Sequence, residues 1–345
     1  MTTNNSPEGR IPEKVLITGG GGFLGKAIAS RLIERGDIVR SLARNHYPEL
    51  EALGVEQKQG NLCDVDVVLN ACENRDVIFH TAAKPPPWGP YEEYYQTNVV
   101  GTRNVVEACL RFNTSRLIYT STPSVVFNGD NLEGIDESFP YPAKFNAYYP
   151  MTKAMAEQQV VQATRRNLIA VILRPHEIWG PEDPHFVPRL LARAHKLKQI
   201  GDGKNLVDTI YIDNAADAHI LAADKLKENQ KLTGNIYFIT QDEPIPAWGM
   251  INAILKAAGY EPVKGRIPFR VAWMIGAVLE FIYKKFNLCG EPQMTRFLAE
   301  AVATSHWFDI SAAKKDLGYE PKVTIEEGLK RLRNWLKTKN AEGVG

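Results

Sequence analysis

"KVLITGGGGFLGKAIASRLIE", residues 14–34, opens on a short β-branched apolar run, breaks at four adjacent glycines and resumes as a helical pattern. An apolar run of that length ending in glycine predicts a buried strand over 14–19. Gly19, Gly22 and Gly25 allow a tight turn, close approach of backbone to a phosphate, and close packing of helix on strand. The helix predicted from Gly25 to Arg35 presents free N–H groups to a pyrophosphate. Glycine spacing alone is weak; the strand–turn–helix context strengthens it. Four glycines in a row cost conformational entropy, which argues against an idle turn.

Outward from that stretch, strands are predicted over 37–44, 76–83, 115–122 and 168–175, with helices over 64–73, 91–111 and 150–166. Strands alternating with helices imply parallel units with right-handed crossovers, so an α/β, doubly wound parallel sheet. After Pro175 the pattern loosens into a helix at 184–196, a loop at 201–205, strands at 206–212 and 235–240, a helix at 214–227 between them, and a mostly helical remainder. The last helix, 324–337, has Thr324 as cap with Glu327 three residues on. This predicts a nucleotide domain over 11–181, to which 206–240 returns, and a smaller, mostly helical substrate domain from 182–205 and 241–340. Residues 1–10 are polar and expected to be a disordered tail without the apolar core of a signal peptide.

The 345 residues are 44% hydrophobic and 23% charged, as in soluble globular proteins. A net charge of +1 argues against a nucleic-acid partner. Cys63, Cys72, Cys109 and Cys289 lack metal-site spacing and read as reduced thiols. No metal is expected, and the expected location is the cytoplasm. "VAWMIGAVLEFIY" (271–283) is interrupted by Glu280 and falls short of a membrane span. It reads as a buried helix, a lid over an apolar pocket, or a helix peripheral to a membrane surface.

A carboxylate about 20 residues past the glycine loop would hold the ribose hydroxyls of NAD. Here stand Ser41, Leu42 and Ala43, then Arg44. No acid repels a 2′-phosphate, and a guanidinium can pair with one. NADP(H) is therefore the expected cofactor, with Arg44 as a plain surface charge the alternative.

Tyr149 and Lys153 are four residues apart, which on a helix places them on one face. Pro150 marks a helix start at Tyr149 or Pro150. A phenol with a pKa of about 10 is a poor acid–base group, and a nearby ammonium lowers that value. Tyr149 is thus the candidate proton donor, while Tyr148 is expected to pack or to line the pocket. The spacing alone is common by chance; its place 130 residues after Gly19 gives it weight. Ser121, Thr122 and Ser124 follow the fourth predicted strand and could hold a substrate oxygen, or cap the backbone.

Together, T-G-x-x-G-x-x-G at 18–25, "HTAA" at 80–83, "NVVGT" at 98–102, "TSTPSVVF" at 120–127, Y-x-x-x-K at 149–153 and "LRPHEIWGP" at 173–181 resemble the extended short-chain dehydrogenases/reductases. That resemblance implies a Rossmann fold, a nicotinamide cofactor, Tyr149 as acid–base, Lys153 on the nicotinamide ribose, and Thr122 as the catalytic hydroxyl. It implies cofactor contacts at Gly19, Gly22, Phe23, Leu24 and Ala82, adenine contacts at Asn61 and Leu62, and backbone contacts to the nicotinamide amide from Pro175 to Ile178. Asn61 departs from the usual aspartate.

Pro123-Ser124 replaces the acidic pair of nucleotide-sugar dehydratases, and Val207 replaces the arginine usual in epimerases. "NLVDTIYIDNAADAHILA" (205–222) and 295–321 resemble the 3β-hydroxysteroid dehydrogenase branch. Within it the chain resembles the 2-alkyl-3-oxoalkanoate reductases of bacterial olefin biosynthesis. The implied activity is NADPH-dependent reduction of such an acid to the 3-hydroxy acid, with an apolar 3-oxo or 3-hydroxy small molecule as substrate. Rival readings are an NAD(P)-dependent dehydrogenase of 3β-hydroxysteroids or sterol 4-carboxylates, and a non-catalytic NADPH sensor. Other enzymes of the same pathway and further copies of the chain are the expected protein partners.

Overall fold

The computed structural model describes residues 10–85 and 88–341. The expected tail at 1–10 lies outside the described residues except for Arg10, whose guanidinium pairs with Asp37 at 2.9 Å. Seven parallel strands form the main sheet: β1 (Lys14–Thr18), β2 (Ile38–Ala43), β3 (Glu56–Gln59), β4 (Val77–His80), β5 (Arg116–Thr120), β6 (Ala170–Pro175) and β7 (Ile236–Ile239). Their spatial order is β7-β6-β5-β4-β1-β2-β3, so the winding reverses between β1 and β4. Ligands bind at such a reversal, outside the carboxyl ends of the strands.

Alternation along the strands builds two cores. Val15 and Ile17 join Ile28 and Leu32 of helix α1 (Phe23–Glu34) on one face. Leu16, Ile78, Leu117 and Ile172 point to the other face, against helices α2 (Val65–Cys72), α3 (Gly101–Phe112) and α4 (Tyr148–Thr164). Near-continuous apolar strands are what a sheet covered on both sides requires. Each fully buried Ile or Leu side chain contributes about 1.5–3 kcal/mol. Helix α5 (Ile212–Glu228) returns to the first face, where Arg31 of α1 bonds Asp213 and Asp217 at 2.7 Å each.

Two elements depart from the periodicity. β3 reads "EQKQ" and is not legible as a strand, because it is a polar edge strand with no apolar face. The strand predicted over 206–212 breaks into Leu206–Val207 and Ile210–Tyr211, which pair with different partners outside the main sheet. Asp208 stands at the break. Its buried carboxylate accepts the Phe308 N–H at 2.9 Å and bonds His176 at 2.7 Å, so the position is polar and tied to distant chain rather than part of an apolar run.

The helix predicted at 271–283 is α6 (Phe269–Lys285), and it is not buried throughout. Gly276 allows it to sit on the backbone of Thr295 and Arg296, where a Cβ would come within 2.6 Å. Glu280, the charge that interrupts the apolar run, is buried and takes the Arg296 guanidinium at 2.7 Å. The final helix, α7 (Ile325–Ala341), is capped as expected, with Thr324 Oγ1 accepting the Glu327 N–H at 3.2 Å.

Candidate active site

A cavity of about 1520 Å³ opens along the carboxyl ends of the main-sheet strands. Its size exceeds that of an ordinary small-molecule pocket and admits a dinucleotide together with a substrate. Every residue expected from sequence to be catalytic or cofactor-binding lines it, although the elements carrying them are spread from β1 to the residues beyond β6.

Gly19, Gly22, Phe23 and Leu24 form one wall. Gly19 adopts φ +74°, and a side chain at Gly25 would strike the Gly19 carbonyl oxygen at 2.2 Å. Helix α1 has Gly22 at its cap and no side-chain cap, so its first N–H groups are left for a ligand. Ala82 lies at the reversal point, where a Cβ on Gly19 would touch its Cα at 3.0 Å. Ser41 Oγ and Ser121 Oγ are buried without a hydrogen-bond partner, and Ser121 lines the cavity. A glycine cradle, an uncapped helix and unmet hydroxyls fit a phosphate-bearing dinucleotide.

Arg44, just beyond the end of β2, is exposed, lines the cavity and makes no ion pair among the described residues. Asn61 and Leu62 lie on the same side, where Asn61 Oδ1 accepts the Cys63 N–H at 3.1 Å. Pro175 and Ile178 line the far side, beyond β6.

Helix α4 begins at Tyr148, one residue earlier than the sequence indicates, so Tyr149 is helical and shares a face with Lys153. Tyr149 lies in the cavity with its ring edge-on to Tyr94, centroids 6.5 Å apart. Tyr148 is not part of the cavity; it packs edge-on against Tyr91 at 5.5 Å. Thr122 Oγ1 caps the short helical turn at 123–126 by accepting the Ser124 N–H at 3.3 Å and shares a hydrogen bond with Ser124 Oγ at 2.9 Å, and it is near enough to the Tyr149 hydroxyl to favour that group's ionised form.

The expectation that Lys153 lowers the Tyr149 pKa does not hold in this structure. Burial drives the phenol well above its ordinary range; the Thr122 hydroxyl opposes this, while Glu177 and Tyr94 add to it. The Lys153 ammonium is engaged elsewhere: Nζ donates to the Thr120 carbonyl at 2.6 Å and sits 4.4 Å from the centre of the Tyr119 ring. Burial lowers the Lys153 pKa to about 7, against a small upward pull from Glu157. Glu157 itself is held by Arg174 at 2.6 and 3.1 Å and by the Tyr141 hydroxyl at 2.7 Å.

That depression sets a pH dependence of stability. Lys153 titrates at 10.5 when unfolded and near 7 when folded. Between those values the unfolded chain holds the extra proton, so this group's burial penalty is full below about 7 and relieved by about 10.5. Wild type should therefore gain roughly 1–3 kcal/mol relative to Lys153→Met between pH 7 and 9.5, read from urea unfolding. A difference that stays flat with pH would mean the ammonium is solvated.

A polar chain ties the glycine-loop strand to α4. His80 bonds Thr18 at 2.6 Å and Thr102 at 2.9 Å; Thr102 Oγ1 donates to the Asn98 carbonyl at 2.6 Å. Asn98 Nδ2 in turn donates to Thr152 Oγ1 at 3.0 Å, and Asn98 Oδ1 accepts the Lys84 N–H at 2.8 Å. Asn98 sits in a π-helical stretch, Tyr95–Val100, of the kind often found at functional sites. His176 and Glu177 fall inside the stretch expected to meet the cofactor by its backbone, but the sequence assigned their side chains no part: Glu177 lines the cavity at φ +41°, and the cavity-lining His176 is held by Asp208. No spacing rule links these positions; only the fold brings 176 beside 208.

The description "3-beta hydroxysteroid dehydrogenase/isomerase family" matches residues 16–270. A 2-alkyl-3-oxoalkanoate reductase of Stenotrophomonas maltophilia is 47% identical over 324 residues, covering 93% of this chain and 98% of that protein. The decarboxylating sterol-4-alpha-carboxylate 3-dehydrogenase of Mus musculus is 34% identical over 326 residues, covering 92% and 90%. The solved UDP-glucuronic acid 4-epimerase of Bacillus cereus, in complex with NAD, superposes with a TM-score of 0.72 at 22% identity, covering 94% and 99%, a likeness of fold. The chain therefore belongs to the 3-beta hydroxysteroid dehydrogenase/isomerase family of extended short-chain dehydrogenases/reductases, nicotinamide-dependent oxidoreductases acting on CH–OH and C=O groups.

Proposed function

We propose that the protein reduces a 2-alkyl-3-oxoalkanoate to the 2-alkyl-3-hydroxyalkanoate with NADPH, as a step in long-chain olefin formation. One observation carries the reading: Tyr149 and Thr122 line the same cavity, which has a phosphate cradle at one end and an apolar wall at the other. Leu190, Ile200, Trp248, Ile251 and Phe297 belong to that apolar wall and suit alkyl chains. The name of the relative at 47% identity points to the same substrate class.

Gly19, Gly22 and the first turn of α1 would hold the pyrophosphate, and Arg44 the 2′-phosphate. When bound, the dinucleotide supplies the hydride. Tyr149 gives its proton to the C3 oxygen as that carbon is reduced, and Thr122 hydrogen-bonds the same oxygen. A phenol whose proton is held firmly by burial stays loaded at neutral pH, yet it remains far more acidic than an alkoxide's conjugate alcohol. Lys153, one helical turn from Tyr149 with its Nζ on the Thr120 carbonyl, would hold the nicotinamide ribose.

The sterol dehydrogenase at 34% identity supports a rival, since that chemistry also interconverts 3-hydroxy and 3-oxo groups. Assaying NADPH loss with a long-chain 2-alkyl-3-oxo acid, beside a 3β-hydroxysteroid with NADP⁺ and with NAD⁺, separates them. Turnover of the acid is expected. Turnover of the steroid alone replaces the proposal by its rival, and NADPH binding without any turnover would favour a sensor.

A further inference from the structure

Seven of the twelve large apolar side chains exposed among the described residues fall between Val271 and Leu288. On α6, Val271, Met274, Ile275, Val278 and Phe281 recur at helical spacing and form one outward stripe. Met274, Val278 and Phe281 are 56%, 58% and 62% exposed, and Phe286, just past the helix, is 63% exposed. Monomeric proteins seldom leave so continuous an apolar face uncovered.

Charge and aromatic placement point to the occupant. Between residues 264 and 289 stand five cations, Lys264, Arg266, Arg270, Lys284 and Lys285, and a single acid. That acid is Glu280, buried and neutralised by Arg296. Lys284 lies over the rings of Trp88 and Tyr148, at 5.6 and 5.4 Å, and Tyr148 meets Tyr91. Trp and Tyr at the margin of an apolar face, beside lysines, are the side chains that settle at the headgroup level of a bilayer. No helix among the described residues is long and apolar enough to cross a membrane. A helix with this make-up lies in the interfacial plane instead.

The face is also continuous with the cavity. Ile275 is exposed outside and lines the cavity; Ala272 and Leu279, on the adjoining side of α6, line it too. From these observations we infer that α6 docks the protein on an anionic lipid surface, with the mouth of the cavity against the bilayer. The use of such docking, transfer of a long-chain substrate without crossing water, rests on the proposed function; the docking itself does not.

Flotation of the full-length protein with phosphatidylcholine–phosphatidylglycerol vesicles, in the absence of substrate, tests this. Wild type should float with the mixed vesicles and much less with pure phosphatidylcholine. Met274→Glu/Phe281→Glu should reduce flotation about tenfold or more, and Lys284→Glu/Lys285→Glu by a similar factor that shrinks in high salt. Neither Met274 nor Phe281 lines the cavity, so reduction of a short-chain, water-soluble substrate should persist in the first variant and certify its fold. Wild type that stays unbound, or a Met274→Glu/Phe281→Glu variant that floats as wild type does, overturns the inference. So does a wild-type dimer in sedimentation that this variant splits into monomers, since the face would then join two copies. Failure of the proposed reaction would appear separately, as wild type that floats but turns over no 3-oxo acid.

Discussion

Tyr149→Phe is expected to lower turnover by about two to four orders of magnitude while leaving NADPH affinity within a few-fold of wild type. The substitution deletes one oxygen. The ring stays edge-on to Tyr94, and helix α4 gains no cavity, so the loss cannot be blamed on packing. The glycine loop and Arg44 follow other strands, β1 and β2, and remain as they were. Single-turnover decay of NADPH absorbance reports the chemical step, and fluorescence titration reports binding. Turnover within tenfold of wild type would exclude Tyr149 as proton donor. Loss of both turnover and binding would instead mean that the hydroxyl supports the cofactor site.

Arg44→Asp should raise the NADPH dissociation constant by about 10- to 100-fold and that of NADH by much less. A charge-assisted bond to phosphate contributes about 1.5–3 kcal/mol, and the new carboxylate adds repulsion. Exposure limits the effect, because Arg44 stands in solvent where salt screens it. The NADPH penalty should therefore shrink as ionic strength rises, whereas the NADH constant should hardly respond. Equal penalties for the two dinucleotides would remove the phosphate contact from the proposal and leave Arg44 a surface charge.

The residues that carried the sequence reading were those whose geometry is local. The glycine loop needs only a strand before it and a helix after it, and it is found as expected, with Gly19 at positive φ. The Tyr149–Lys153 spacing needs only one helical turn, and α4 supplies it. Thr324 and Glu327 cap a helix within four residues of chain. β3 escaped notice because a polar edge strand has no buried face to set a period of two. The strand expected at 206–212 failed for the opposite reason: its apolar content is right, but Asp208 is claimed by His176 and by the Phe308 N–H, far away in sequence.

Sequence alone determined the α/β architecture, the glycine loop and the Tyr149–Lys153 pair, because periodicity and turn chemistry act over a few residues. Tertiary structure alone decided what those groups can do. Desolvation holds the Tyr149 proton more tightly than helical spacing suggested and draws Lys153 down to about 7, with its ammonium turned to the Thr120 carbonyl. It also decided that α6 keeps one side for the cavity and leaves the other bare. Burial and its electrostatic consequences depend on every element packed around a group, and no stretch of chain carries that sum by itself.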